Sequence, residues 1–157
     1  MAVRLSPEMI ELVESGVSTI VGSRDANLRP ECTRGLGATV APDGESVSVI
    51  LYEPLAGRML DNLRDNGLIA VTFSRIFDHR SIQLKGKVRT IRKGTPEDEA
   101  ISDRYLNAFA EAVSLAGLPR SVVRRVHTKP SIVIELEPTD IFLQTPGKDA
   151  GRRMEEA

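Results

Sequence analysis

The sequence predicts a β-rich α+β domain in which an antiparallel sheet closes on itself, with helices at its ends and corners. Three observations carry this. Short runs with β-branched content and period-two alternation outnumber the helical stretches. Tight turn signals such as Pro42-Asp43-Gly44-Glu45 join the early strands. Those links are too short for the crossover that a parallel pair needs. The 157 residues fit one domain, spanning 1–147, followed by a charged tail over 148–157 that is expected to be mobile.

Each element has a local reason. Ser6-Pro7-Glu8 starts a helix with a capping hydroxyl, a proline at the first helical position and a carboxylate near the positive end. Val17–Ser23 is a β-branched strand stopped by Asp25-Ala26-Asn27, and Glu31–Ala41 is its return. Ser46–Tyr52 alternates cleanly as a third strand. Between Pro54 and Asn66, Leu55, Met59, Leu60 and Leu63 recur at helical spacing, and Asn66-Gly67 stops the run. Leu68–Ser74 is an inner strand, and a strand from Arg80 to about Arg92 follows it. Thr95-Pro96-Glu97-Asp98 opens a helix reaching Gly117, and Pro119 starts a shorter one. Ser131–Leu136 and Ile141–Leu143 form a closing pair or one bent strand, with Pro138 at the bend.

Composition narrows the function. With 21 basic and 22 acidic residues, nothing suggests a nucleic-acid binder working by bulk electrostatics. Cys32 is the only cysteine, so no internal disulfide and no cysteine cluster for a metal is expected. The opening segment from Met1 lacks the apolar core of a signal peptide, and no segment reaches the ~20 apolar residues of a membrane span. A cytoplasmic protein with no membrane partner is the expectation.

The stretch Arg80-Ser81-Ile82-Gln83-Leu84-Lys85-Gly86-Lys87 is the most informative. Residues two apart on a strand share a face, so Ser81, Gln83 and Lys85 point one way and Ile82 and Leu84 the other. Such a face can support a polar, phosphorylated ligand; the plain alternative is a sheet with one wet side. Arg34 precedes Gly35-Leu36-Gly37-Ala38, where small residues let a flat ligand approach the backbone. Arg58 sits in the first turn of the central helix, where free N–H groups favour an anion. Two arginines from different elements suit a phosphate; each alone is as well explained by a stem lying on apolar neighbours.

No general acid or base stands out. His79 and His127 have no partner carboxylate at a diagnostic spacing, and His127 ends a basic helix, where a cation suits the negative end. Cys32 reads as a small core or edge residue. Serine elbows, phosphate loops and dinucleotide fingerprints are absent, so the catalytic residues stay unassigned. An enzyme of this composition leaves the hard step to a cofactor.

In order along the chain, the hairpin with Asp25 and Pro30, Arg34 on its second strand, the Pro42-Asp43-Gly44 turn, the helix Gly57-Arg58-Met59-Leu60-Asp61-Asn62-Leu63 and the strand from Arg80 resemble the pyridoxamine-phosphate-oxidase-like family of flavin-binding proteins. The resemblance runs from about Val17 to Leu143. It implies a six-stranded antiparallel split β-barrel with flanking helices, and FMN held at the interface of a homodimer. It places Arg34 and Arg58 at the phosphate, and Gly35, Leu36 and Gly37 along the isoalloxazine ring. Met59, Arg80, Ser81 and Gln83 also fall among the implied cofactor-binding residues. Ser81 stands where the family commonly has a Gln, and Gln83 on the same face could substitute. The chain lacks the Trp and Arg segment that completes the vitamin site of the oxidases proper. The implied activity is an FMN-dependent oxidoreductase using NAD(P)H on an undetermined small molecule. A flavin carrier or redox sensor, or a barrel holding F420 or haem, are the alternatives.

Overall fold

A computed structural model of the chain describes residues 3–154. The elements are α1 (Pro7–Glu14), β1 (Ser18–Arg24), β2 (Pro30–Val40), β3 (Val47–Tyr52), α2 (Gly57–Asn66), β4 (Leu68–Ser74), β5 (Ser81–Lys93), α3 (Pro96–Leu115), β6 (Ser131–Leu143) and β7 (Arg153–Met154). Short 3-10 turns occupy Glu53–Leu55 and Arg120–Arg125. The capping signals act as expected. Ser6 accepts from the Met9 N–H, and Thr95 and Asp98 form a reciprocal capping box at the start of α3. Past the end of α2, Gly67 takes the left-handed conformation and its N–H returns to the Leu63 carbonyl at 2.9 Å.

The strands pair in the order β3-β2-β1-β4-β5-β6, all antiparallel, and β3 pairs with β6 to close the ring. This is the six-stranded antiparallel barrel with flanking helices. The closing segment is one bent strand. Its first half serves β3, and its whole length serves β5 with a register shift near Pro138. Inward side chains fill the barrel, with Val21, Val49, Leu51, Val71, Phe73, Leu84, Ile134 and Leu136 fully buried.

Two helices close opposite ends of the barrel. Met9, Leu12 and Val13 of α1 join the core at the end where Glu14 accepts the Val40 N–H. Met59, Leu60 and Leu63 of α2 join it at the other, where Asn62 donates to Ser23 and Asn66 to the Arg24 carbonyl.

A second apolar layer lies outside the barrel. Ile50 of β3 and its partner Val133 of β6 point away from the core yet are buried, as is Leu36 of β2. Tyr105 and Val113 of α3 and Val123 of the following 3-10 turn supply the buried side chains of this outer layer. The outward face from the first half of β2 across β1, β4 and β5 to the end of β6 keeps no such cover.

In its described part the charged tail pairs with the barrel. The Gly151 N–H meets the Leu143 carbonyl at 2.7 Å, Arg153 and Met154 pair with Phe142 and Ile141, and Arg153 reaches Asp140 at 2.6 Å. The reason is the edge that β6 leaves unpaired once β3 has ended. Residues 155–157 of that tail lie outside the described residues, as do Met1 and Ala2 of the opening segment. Among the described residues no helix is long and apolar enough to cross a membrane.

Candidate functional site

Cross-strand register lays out the uncovered face. Side chains directly opposite one another share a face. One row therefore runs Arg34, Ile20, Thr72, Gln83 and Phe142, and the next runs Cys32, Gly22, Ala70, Lys85 and Asp140. Gly22 and Ala70 carry almost no side chain, so the second row sinks into a trough. Cys32 and Pro30 line one wall of it, and Leu68, Lys85 and Asp140 line the other. The hollow measures about 580 Å³, within the usual size of a small-molecule site.

Arg34 stands at the margin of this face. The pairing of Gly35 with Leu51 continues to place Arg34 beside Tyr52 on the outward side. The Arg34 guanidinium lies 5.4 Å from the centre of the Phe109 ring of α3, and Phe109 stacks on Tyr105 at 5.7 Å. His127 packs on Tyr52 with ring centres 5.8 Å apart. A chain with two Tyr and four Phe thus gathers both tyrosines and one phenylalanine around a single arginine. Among the described residues Arg34 has no carboxylate partner. The Tyr105 hydroxyl donates to the Val17 carbonyl at 2.7 Å. Burial raises its pKa, and the nearby Arg34 charge works in the opposite direction.

The other implied residues are dispersed. Arg58, in the first turn of α2, pairs with Glu31 of β2 at 2.9 Å. Glu31 and Arg34 are three residues apart, about 10 Å of strand, and on opposite sides of it. Met59 is buried, with its carbonyl accepting from Ser23. Arg80 lies at the far end of the barrel, paired with Glu8 of α1 at 3.2 Å. The seven residues of β1 separate the two ends by roughly 20 Å, so no single phosphate touches both Arg58 and Arg80.

Ser81, Gln83 and Lys85 share the outward face, with Ile82 and Leu84 inward and buried. Ser81 is itself buried, however, and its hydroxyl is engaged at 2.8 Å by Ser74 and by the His79 carbonyl. Gln83 donates its amide to Thr72 at 2.9 Å, and Lys85 lies 4.8 Å from the Phe142 ring centre.

Gly35, Leu36 and Gly37 are buried. An extra residue in β2 shifts the register between Gly35 and Ala38, and Gly37 adopts φ +124°, which favours glycine. A side chain there would press on Ile101 and Tyr105 of α3. In this structure α3 takes the close approach that the small residues allow.

Cys32 is exposed on the outward face rather than buried in the core. His127 lies two residues past the 3-10 turn that ends at Arg125, so its ring contact is with Tyr52 and not with a helix end. Among the described residues neither His79 nor His127 has a carboxylate partner, and no metal-sized cluster of His, Cys, Asp or Glu occurs. Sequence reasoning gave Tyr52 and Phe109 no role in the site, and it set His127 at a helix end instead of beside Tyr52. Alternation along Ser46–Tyr52 already turned Tyr52 outward, whereas the small residues at Gly35–Gly37 signalled a close approach without identifying α3.

No family profile matches the sequence, and no curated protein does. Solved structures do match its shape. An F420 reductase aligns with TM-score 0.57 at 14% identity, over 83% of this chain and 93% of that one. A proposed pyridoxamine 5'-phosphate oxidase from Lactobacillus delbrueckii aligns with TM-score 0.55 at 12% identity, covering 90% and 99%. The fold is the pyridoxamine-phosphate-oxidase-like split barrel. An FMN-binding protein from Syntrophomonas wolfei shares this split barrel with TM-score 0.54 at 13% identity, covering 90% and 89%.

Proposed function

We propose that this split barrel binds FMN or the deazaflavin F420 as a homodimer and moves reducing equivalents between a nicotinamide donor and a small molecule. The observation that carries the reading is Arg34, a cation without a carboxylate partner among the described residues, mounted on Phe109 and set beside Tyr52. An arginine desolvated on one side by an aromatic face suits a phosphate or another anionic group of a ligand whose ring lies against Tyr52. The names of the matching F420 reductase and FMN-binding protein support the same ligand class.

The residues fit such a group in part. Arg34 would hold the phosphate, with the Gln83 amide on the ring side. Arg58, paired with Glu31 on the other face of β2, would reach the same group only by leaving that carboxylate and turning over the strand end. The Gly35–Gly37 backbone lies under α3 and offers no surface in this position. A bound flavin or deazaflavin supplies the hydride chemistry itself. The chain's part is to bind it, orient it and exclude water. A second copy packed against the trough face would cover Ile20 and Leu68, which are 38% and 37% exposed.

The absorbance spectrum of freshly purified protein, followed by titration with FMN and with F420, tests the reading. A flavin or deazaflavin band is expected, and a haem spectrum or binding of neither cofactor overturns it. Because neither histidine has a carboxylate partner among the described residues, a flavin carrier without turnover is the second reading. Anaerobic mixing with NADPH and NADH separates the two, since bleaching is expected only of the oxidoreductase.

A further inference from the structure

We propose that the trough on the uncovered face binds a small organic anion with a flat, apolar body, at a position distinct from the phosphate position at Arg34. In the flavin reading above this ligand is the small molecule that exchanges reducing equivalents, but its binding does not rest on that reading.

Gly22 lies mid-strand in β1, at the centre of the trough floor. Its φ is outside the left-handed region, and a Cβ would meet nothing nearer than the Ala70 and Glu31 carbonyl oxygens at 3.8 Å. Nothing in the fold therefore calls for glycine here. Gly35 and Gly86 differ, since a Cβ at the one would strike the Thr19 side chain and at the other the Glu137 backbone. A glycine inside a strand weakens it, and where the chain itself has room for a side chain, the bare backbone serves a visitor from outside. Ala70, paired with Gly22, continues the bare strip onto β4. A strip floored by the peptide planes of two strands suits a flat ring system. Pro30, Cys32 and Leu68 wall it, and the hollow of about 580 Å³ is far larger than an inorganic anion fills.

The charge around this strip is one-sided. Lys85 stands opposite Ala70, and Arg24 is two residues along β1 from Gly22, about 7 Å. Among the described residues neither cation has a carboxylate partner. Lys85 rests on the Phe142 ring, and Arg24 donates to the Asp25 carbonyl. The two carboxylates on the rim are each held by an arginine from outside the trough, Glu31 by Arg58 at 2.9 Å and Asp140 by Arg153 at 2.6 Å. The balance at the trough is thus positive, in a chain whose net charge is -1. An apolar side chain of a second copy is the other occupant that such a hollow admits. A two-fold copy, however, brings the same Arg24 and Lys85 to this face, and opposed like charges are costly. An anion between the copies removes that cost, so a dimer packed here encloses the ligand rather than filling the trough.

Anilinonaphthalene sulfonate and its neutral counterpart N-phenylnaphthylamine share a flat body and fluoresce on leaving water. Titrating both into the full chain without added cofactor tests the site. The sulfonate should bind at least about tenfold more tightly than the neutral probe. Lys85→Gln and Arg24→Gln should each weaken the sulfonate about threefold to tenfold and leave the neutral probe unchanged. Gly22→Val fills the floor with a residue that favours strands, and should weaken both probes at least about tenfold without lowering the unfolding midpoint. The glutamine variants disturb no packing and decide the question even where Gly22→Val is unstable. Equal affinity for the two probes, or affinities that none of the variants changes, overturns the site. A dimeric parent that excludes both probes also overturns it and gives the trough to the second copy. In equilibrium dialysis, saturating FMN should leave the sulfonate bound; its displacement would make the trough part of the flavin site and remove the second one. Failure of FMN to bind removes the flavin reading alone, and the probe titration stands without it.

Discussion

Arg92 at the end of β5 donates through both terminal nitrogens to the Asp98 carboxylate of α3, at 2.6 and 3.1 Å. The same carboxylate accepts the Thr95 N–H and hydroxyl, so one buried acid fastens a strand end, a helix cap and the first helical turn together. The Arg92 hydrogen bonds, with support from Thr95, hold Asp98 well below the usual carboxylate range, at about 2 against 3.8.

A folded pKa below the unfolded one stabilises the protein above the unfolded value and ceases to do so as pH falls through the folded value. The Asp98 contribution should therefore be complete above about pH 5 and disappear between about pH 4 and 2, amounting to about 2 kcal/mol. Denaturant melts of the parent and of Asp98→Asn across this window check it. The variant should lose stability at pH 7 and show a shallower acid limb. An acid limb of unchanged steepness would mean that other carboxylates dominate, of which Asp78, lowered by its hydrogen bonds to Arg75, is the first to examine.

Gly16 supplies a second prediction. A Cβ at this position would stand 2.5 Å from the Ala108 carbonyl carbon, in the middle of α3. Backbone cannot yield as a flexible side-chain tip can, so Gly16→Ala should push the helix outward and cost about 1–3 kcal/mol. Thermal unfolding measures the loss. Hydrogen exchange should locate it in α3 rather than in β4 or β5.

The barrel was legible because its signals are local. Leu68–Ser74 forms the predicted strand with the same ends, and the Thr95–Asp98 cap starts α3 where the sequence places it. The alternation of Ser81 to Lys85 correctly sorted outward from inward residues. What the sequence hid depends on distant neighbours. Ser81 faces outward as its parity requires, but Thr145, 64 residues away, accepts its N–H and helps to enclose it. Arg58 reads as an available cation until Glu31 folds next to it. Gly37 signals a close approach without naming the visitor, and only the packing of α3 against β2 does that.

Glu31 and Arg58 yield a test of phosphate recognition. A carboxylate 2.9 Å from Arg58 competes with any phosphate for the same guanidinium, and both groups are at least partly exposed, so the pair itself is weak. Glu31→Gln should therefore tighten FMN about threefold to tenfold, or roughly 0.6–1.4 kcal/mol, and leave riboflavin unchanged. Arg58→Ala should weaken FMN by about the same factor, and Arg34→Ala by more, because Arg34 has no competing carboxylate among the described residues to leave behind. Equal effects on FMN and riboflavin would show that these residues shape the fold rather than read the phosphate.

The last prediction concerns Ala70 on the floor of the trough. It sits between Gly22 and Lys85 in the outward row, so a large cation there fills the hollow without entering the core. Surface changes of this kind alter stability by only about 0.5 kcal/mol, and the barrel of Ala70→Arg should stay folded. A face-to-face homodimer could not tolerate it. Two copies would bring the new arginines together where close packing over about 800 Å² per partner is required. Sedimentation at micromolar concentration should show the parent as a dimer and Ala70→Arg as a monomer. Arg34 stands at the margin of the same face, so the monomeric variant should also bind FMN at least about tenfold more weakly if the site is built from two chains. A monomeric parent with FMN bound would remove the dimer from the reading. Full FMN affinity in a monomeric Ala70→Arg would confine the site to one chain.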